Sequence, residues 1–158
     1  MKITIKNNPF DLQWMKTALL LARKGIPRTS PNPPVGAVVV KNGMLVGSGW
    51  HHAAGLPHAE VLAIKKAGKS CTGATLYVTL EPCSTWGRTP PCVDLIIQKH
   101  IRKVIIGCRD PNPLHDGKGI KLLRKAGIEV YENVCHNEAE ELILPFTKKI
   151  LTGLPYVT

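Results

Sequence analysis

The sequence is short of aromatic side chains, which make up 5% of its 158 residues, so aliphatic residues must carry its core. No apolar run approaches the roughly 18 residues of a membrane-spanning helix. The opening MKITIKNNPFDLQWMK lacks the apolar block and small-residue cleavage site of a signal peptide, so a cytoplasmic protein is expected. There is no internal repeat and no low-complexity segment. Acidic residues are scarce, 11 against 21 lysines and arginines, which leaves a formal net charge of +10. Such an excess attracts polyanions or phosphorylated ligands without choosing between them. Five cysteines is an odd number, and a reducing cytosol disfavours structural disulfides. The cysteines are therefore read as ligands, nucleophiles or buried small hydrophobes.

The length suits one domain, residues 1–158 with a core of about residues 10–152. Residues 10–25 read as an amphipathic helix, with Leu12, Met15, Leu19 and Ala22 at helical spacing and Gly25 as its stop. The proline-rich IPRTSPNPP excludes a helix. VGAVVVKNGMLVGSGW reads as a hairpin turning at Asn42-Gly43. Helix and strand patterns then alternate. HAEVLAIKKAG is a helix ending at Gly68, ATLYVTL a strand, and PPCVDLIIQKH a helix with Thr89 as N-cap and Pro90 in its first turn. KVIIGC is a strand, KGIKLLRKAG a helix, IEVYENV a strand, and HNEAEELILPFTKKILTG a helix that Pro145 kinks or divides. Alternation from residue 74 onward predicts parallel pairing, and the hairpin adds an antiparallel pair. The expected fold is an α/β three-layer α/β/α sandwich around a mixed five-stranded sheet, with ligands bound near strand ends and helix N-termini.

Two stretches carry chemistry. EPCSTWGRTPPC places Cys83 and Cys92 on either side of a stiff, polar loop, and HAE places His58 and Glu60 at a helix start. Two thiols so placed fit a disulfide, a metal site, a redox pair or unrelated core positions. One His and two Cys at strand-to-helix junctions suit zinc, and three protein ligands leave the open fourth position of a catalytic site. Glu60 could then move protons without ligating the metal. Cys71, Cys108 and Cys135 have no motif around them and are read as structural. Of the adjacent His51 and His52, His51 is favoured to face a pocket. Lys118, in a glycine-flanked turn, is read as exposed.

His-x-Glu followed by Pro-Cys is similar to the signature of the zinc deaminases, in which the second Cys usually comes after two residues. Here eight residues intervene. With SPNPPVG, GWHHAAGLPHAEVLA, TLEPCSTWGRTPPC and DPNPLHDGKG in this order, nearly the whole chain resembles the deaminase domain of the bacterial riboflavin-biosynthesis deaminase/reductase family, where the long insert is usual. The resemblance implies a cytidine deaminase-like fold and a hydrolase acting on the C–N bond of a cyclic amidine. Its substrate would be a diaminopyrimidine bearing a ribosylamino phosphate, a small phosphorylated pyrimidine on the route to riboflavin. It implies one zinc per chain on His58, Cys83 and Cys92, a zinc-bound hydroxide as nucleophile, and Glu60 as proton shuttle. It also implies substrate contacts from Asn32, His51, Arg88, Asp110 and Asn112. Many members carry His at the position of Thr85, and Thr85 is given no role. No nucleic-acid or membrane partner is expected, and no NADPH, because the chain stops where the family runs on into a reductase domain. A stand-alone deaminase and a separate or truncated reductase both fit that ending, and a homo-oligomer stays open. A tRNA or other nucleobase deaminase, or a non-catalytic zinc-stabilised module, are the competing functions.

Overall fold

The structure, a computed structural model, describes residues 8–87 and 89–153. Helix α1 (Pro9–Arg23) starts behind Asn8, whose side-chain oxygen accepts the Phe10 N–H at 3.0 Å. Met15, Ala18, Leu19 and Ala22 form its buried stripe. The helix closes before the expected Gly25. The N–H groups of Lys24, Gly25 and Ile26 bond to carbonyls three residues back, at 3.0, 3.1 and 3.2 Å, which tightens the last turn ahead of Pro27.

Strands β1 (Gly36–Lys41) and β2 (Met44–Trp50) form the hairpin. Asn42 and Gly43 have φ of 52° and 76°, the positive pair that a tight hairpin turn demands. Helix α2 (Ala59–Ala67) ends at Gly68 and runs into a single 3₁₀ turn. Then follow β3 (Thr75–Leu80), α3 (Cys92–Gln98), β4 (Lys103–Cys108), α4 (Lys118–Lys125) and β5 (Glu129–Tyr131). The chain closes with α5 (His136–Leu142) and α6 (Leu144–Thr152). Pro145 divides these last two as the sequence implied, and it occupies the first turn of α6, where it interrupts no hydrogen bond.

The sheet order is β2-β1-β3-β4-β5. β1 is antiparallel to both neighbours, and β3, β4 and β5 are parallel. Alternate residues serve opposite faces. Val38, Val40, Tyr77 and Ile105 pack with Met15, Leu19 and Ala139 of α1 and α5. Ala37, Val39, Leu76, Val78, Val104 and Ile106 pack with residues of α2, α3 and α4. These are the three layers expected. β3 and β4 are buried on both faces over almost their whole length. The Tyr77 hydroxyl donates to the buried Asp11 carboxylate at 2.6 Å and ties α1 to β3.

This topology makes one end of the strands special. The antiparallel register sets the start of β1 beside the end of β3, where the Gly36 N–H donates to the Thr79 hydroxyl at 3.2 Å. The same register ends β2 there, with Gly36 paired to Trp50. Parallel pairing brings Leu80 and Cys108, the last residues of β3 and β4, side by side. Four loops thus leave or enter the sheet at one end of its strands. No helix among the described residues is long and apolar enough to cross a membrane.

Candidate active site

All three cysteine and histidine donors sit on those loops. His58 occupies the N-cap position of α2 in an extended conformation, and its ring does not cap the helix. Cys83 follows β3, and Cys92 opens α3. The His58 Nδ1 and the two Sγ atoms all lie within 4.8 Å of one another. Nδ1 is 3.3 Å from the Cys92 sulfur and 3.7 Å from the Cys83 sulfur. Ordinary zinc–nitrogen and zinc–sulfur lengths in a tetrahedron give an edge of about 3.6 Å between such atoms, so the donor set fits zinc in both spacing and chemistry.

The start of α3 departs from the sequence reading. Thr89 does not cap it and Pro90 is not helical; the helix begins at Cys92, with Pro91 in the cap position. The reason is that Cys83 serves the orphan donors of the first turn. The Cys92 N–H points at the Cys83 sulfur at 3.2 Å, and the Val93 N–H bonds to the Cys83 carbonyl at 3.2 Å. One residue therefore fixes the helix start and supplies a donor atom.

The thiols differ. The hydrogen bond from Cys92, helped by His58 and by the Cys92 N–H, outweighs burial and lowers the Cys83 thiol to about 4. Cys92, the partner that keeps its proton, is driven upward by the same bond and by burial. His58 is raised, first by its bond to Cys83. A bound zinc ion would displace these protons. Glu60, 4% exposed, stands beside the cluster and is not part of it. Burial pushes its carboxyl up, and the charge of Cys83 adds to that. A buried carboxyl raised from its ordinary range, beside the donor set, is placed to serve as a general acid–base group.

These groups open into a cleft of about 260 Å³. Asn32, His51, Asp110 and Asn112 line it together with His58, Glu60 and Cys83. Cys92 is buried beneath at 1% exposure. Arg88 lies outside the described residues. His51 is buried, and its Nδ1 faces the Pro57 carbonyl at 3.1 Å, so Nδ1 carries the proton and Nε2 accepts from the Asn32 amide at 3.1 Å. Burial lowers its pKa, in keeping with a neutral ring. His51 thus orients Asn32. His52 points outward and stacks on Trp50, so one of the two histidines faces the pocket.

Sequence reasoning missed Glu81. Its buried carboxylate accepts the N–H groups of Asp110 and Gly117 on one oxygen, each at 3.1 Å, and of Gly119 on the other at 3.0 Å. That clasp fixes the loop after β4 and the start of α4. Gly119 is required there, since a Cβ would lie 2.3 Å from the Pro82 carbonyl oxygen. Within the loop, an Asp110 oxygen accepts the Asn112 N–H at 2.9 Å and an Asn112 oxygen accepts the Leu114 N–H at 3.0 Å. Replacing Glu81 by Gln turns an NH₂ toward backbone donors. We expect a loss of about 1–3 kcal/mol of stability and roughly a tenfold fall in kcat/KM, with bound metal unchanged. Thermal unfolding, metal content and steady-state kinetics check this. His115 and Phe146 also line the cleft without having been singled out from the sequence.

A mixed five-stranded sheet between helices, with a His-Cys-Cys donor set and a buried glutamate beside it at one end of its strands, is the arrangement expected of a zinc-dependent hydrolytic deaminase. Comparison with known proteins narrows this. Residues 9–108 match the cytidine and deoxycytidylate deaminase zinc-binding region. The chain is 55% identical over 148 residues to the riboflavin biosynthesis protein RibD of Aquifex aeolicus, covering 94% of this chain and 42% of that protein. It is 47% identical over 145 residues to the diaminohydroxyphosphoribosylamino-pyrimidine deaminase of Buchnera aphidicola subsp. Schizaphis graminum, covering 92% of this chain and 99% of that one. The solved structure of Acinetobacter baumannii RibD superposes with a TM-score of 0.91 at 49% identity, covering 94% of this chain and 42% of that chain. The chain belongs to the cytidine and deoxycytidylate deaminase family, in the branch of the riboflavin-biosynthesis deaminases. It spans about two fifths of the length of the RibD proteins it matches.

Proposed function

We propose that the chain hydrolytically deaminates a diaminopyrimidine ribotide in riboflavin biosynthesis, working in the cytoplasm on a free phosphorylated pyrimidine. The observation that carries this is the meeting of Glu60, the His58-Cys83-Cys92 donor set and the His51-anchored Asn32 in one cleft. The end-to-end match to a protein named for this deamination supports the substrate class.

His58, Cys83 and Cys92 would hold one zinc ion, which supplies the Lewis acidity that makes water a nucleophile near neutral pH. Glu60 accepts a proton from the attacking water and passes it to the ring nitrogen beside the reacting carbon. It then delivers the second water proton to the exocyclic amine, which leaves as ammonia while the carbon becomes a carbonyl. Asn32 offers its amide to the pyrimidine edge, held by His51, and Asp110 and Asn112 close the cleft from the opposite loop. Val35, Leu80 and Phe146 are its apolar walls and displace water from the ring faces. Arg88, on the loop between the two cysteines, is assigned to the phosphate.

Zinc-loaded protein incubated with the ribosylamino ribotide, and separately with its ribitylamino counterpart, is expected to release stoichiometric ammonia from at least one of them. Ammonia from neither, with turnover of cytidine or of adenosine in tRNA instead, overturns this function.

A further inference from the structure

We propose that His115 is a second recognition residue for the substrate's phosphate, facing it from the loop after β4. This rests on the ribotide reading above. The chain carries a formal charge of +10, yet no lysine or arginine among the described residues lines the cleft. Among the described side chains that line it, hydrogen-bond donors for an anion come from histidines and neutral polar groups. His58 turns its Nδ1 to the two cysteines. His51 spends both ring nitrogens, on Pro57 and Asn32. His115 is the remaining imidazole in the lining, and no hydrogen bond to a described residue holds its ring.

Its surroundings suit the task. The backbone beneath is fixed, since the His115 N–H bonds to the Asn112 carbonyl at 2.9 Å and Glu81 clasps the residues on either side, Asp110 and Gly117. The neighbouring Asp116 is engaged by Arg109 at 3.5 Å, away from the role proposed for the ring. Asp110, on the same loop, lines the cleft with His115. Thr85 lines the same cleft and brings a neutral hydroxyl.

The test compares KM for the ribotide with KM for its dephosphorylated riboside. His115→Ala is expected to raise KM for the ribotide about tenfold, with KM for the riboside and kcat for both within about twofold of wild type. His115→Gln, which keeps a hydrogen-bond donor without the imidazole ring, should fall between. The proposal is overturned if the ribotide KM does not move, or if ribotide and riboside shift together. If the wild-type enzyme deaminates neither compound, the proposed function itself fails and this assignment falls with it. Activity on the ribotide with a phosphate preference untouched by both variants removes the His115 role alone.

Discussion

Replacing Glu60 by Gln is expected to lower kcat by roughly 10³- to 10⁴-fold, the top of the range for a general acid–base group, with zinc content and melting temperature close to wild type. Glutamine fills the same buried space and can still hydrogen-bond, but it cannot exchange a proton. Glu60 lies beside the donor set without belonging to it, so metal binding should survive. Burial raises the carboxyl, and this is what equips it to give the proton back as well as to take it. Ammonia release measured alongside metal analysis checks the expectation. Near-normal turnover in the variant removes the proton-shuttle mechanism, whatever the substrate is.

The second large effect concerns the cysteines. Cys83→Ser is expected to abolish zinc retention through gel filtration and to reduce turnover to background. The choice of serine matters, because the Cys83 sulfur also accepts the Cys92 N–H at the start of α3. A hydroxyl oxygen can accept that hydrogen bond, so the helix start should persist while the soft ligand is lost. Cys92→Ser should lose zinc likewise. Cys71→Ser and Cys108→Ser, at buried sites in the two cores, should keep the metal. Equal zinc loss from all four variants would mean that the cysteines act through folding rather than ligation.

Much of this was legible in the sequence for identifiable reasons. ATLYVTL and KVIIGC read as strands, Asn42-Gly43 as a turn, and the alternation after residue 74 as a parallel half-sheet; all three rest on local pattern. His58, Cys83 and Cys92 were legible because one His and two Cys at strand-to-helix junctions suit zinc, and because the motifs around them resemble those of a known deaminase family. Thr89 misled because the capping rule is local, whereas the donors of α3 are answered by Cys83, nine residues back. Glu81 was invisible for the same kind of reason. Its partners Gly117 and Gly119 lie 36 and 38 residues away in sequence, and an acidic residue after a strand does not reveal them. Phe146 reaches the cleft from α6, whose placement over the site depends on the break at Pro145 and on packing against α5. What sequence conveys is the ligand set. What folding adds is the scaffold that holds it, Glu81 on one loop and His51 behind Asn32 on another.

X-ray absorption at the zinc edge of the metal-loaded protein tests the central claim most directly. Joint ligation by His58, Cys83 and Cys92 predicts one zinc per chain with two sulfur scatterers and two nitrogen or oxygen scatterers. A spectrum with no sulfur, or with four, would contradict a three-ligand catalytic site built from these residues.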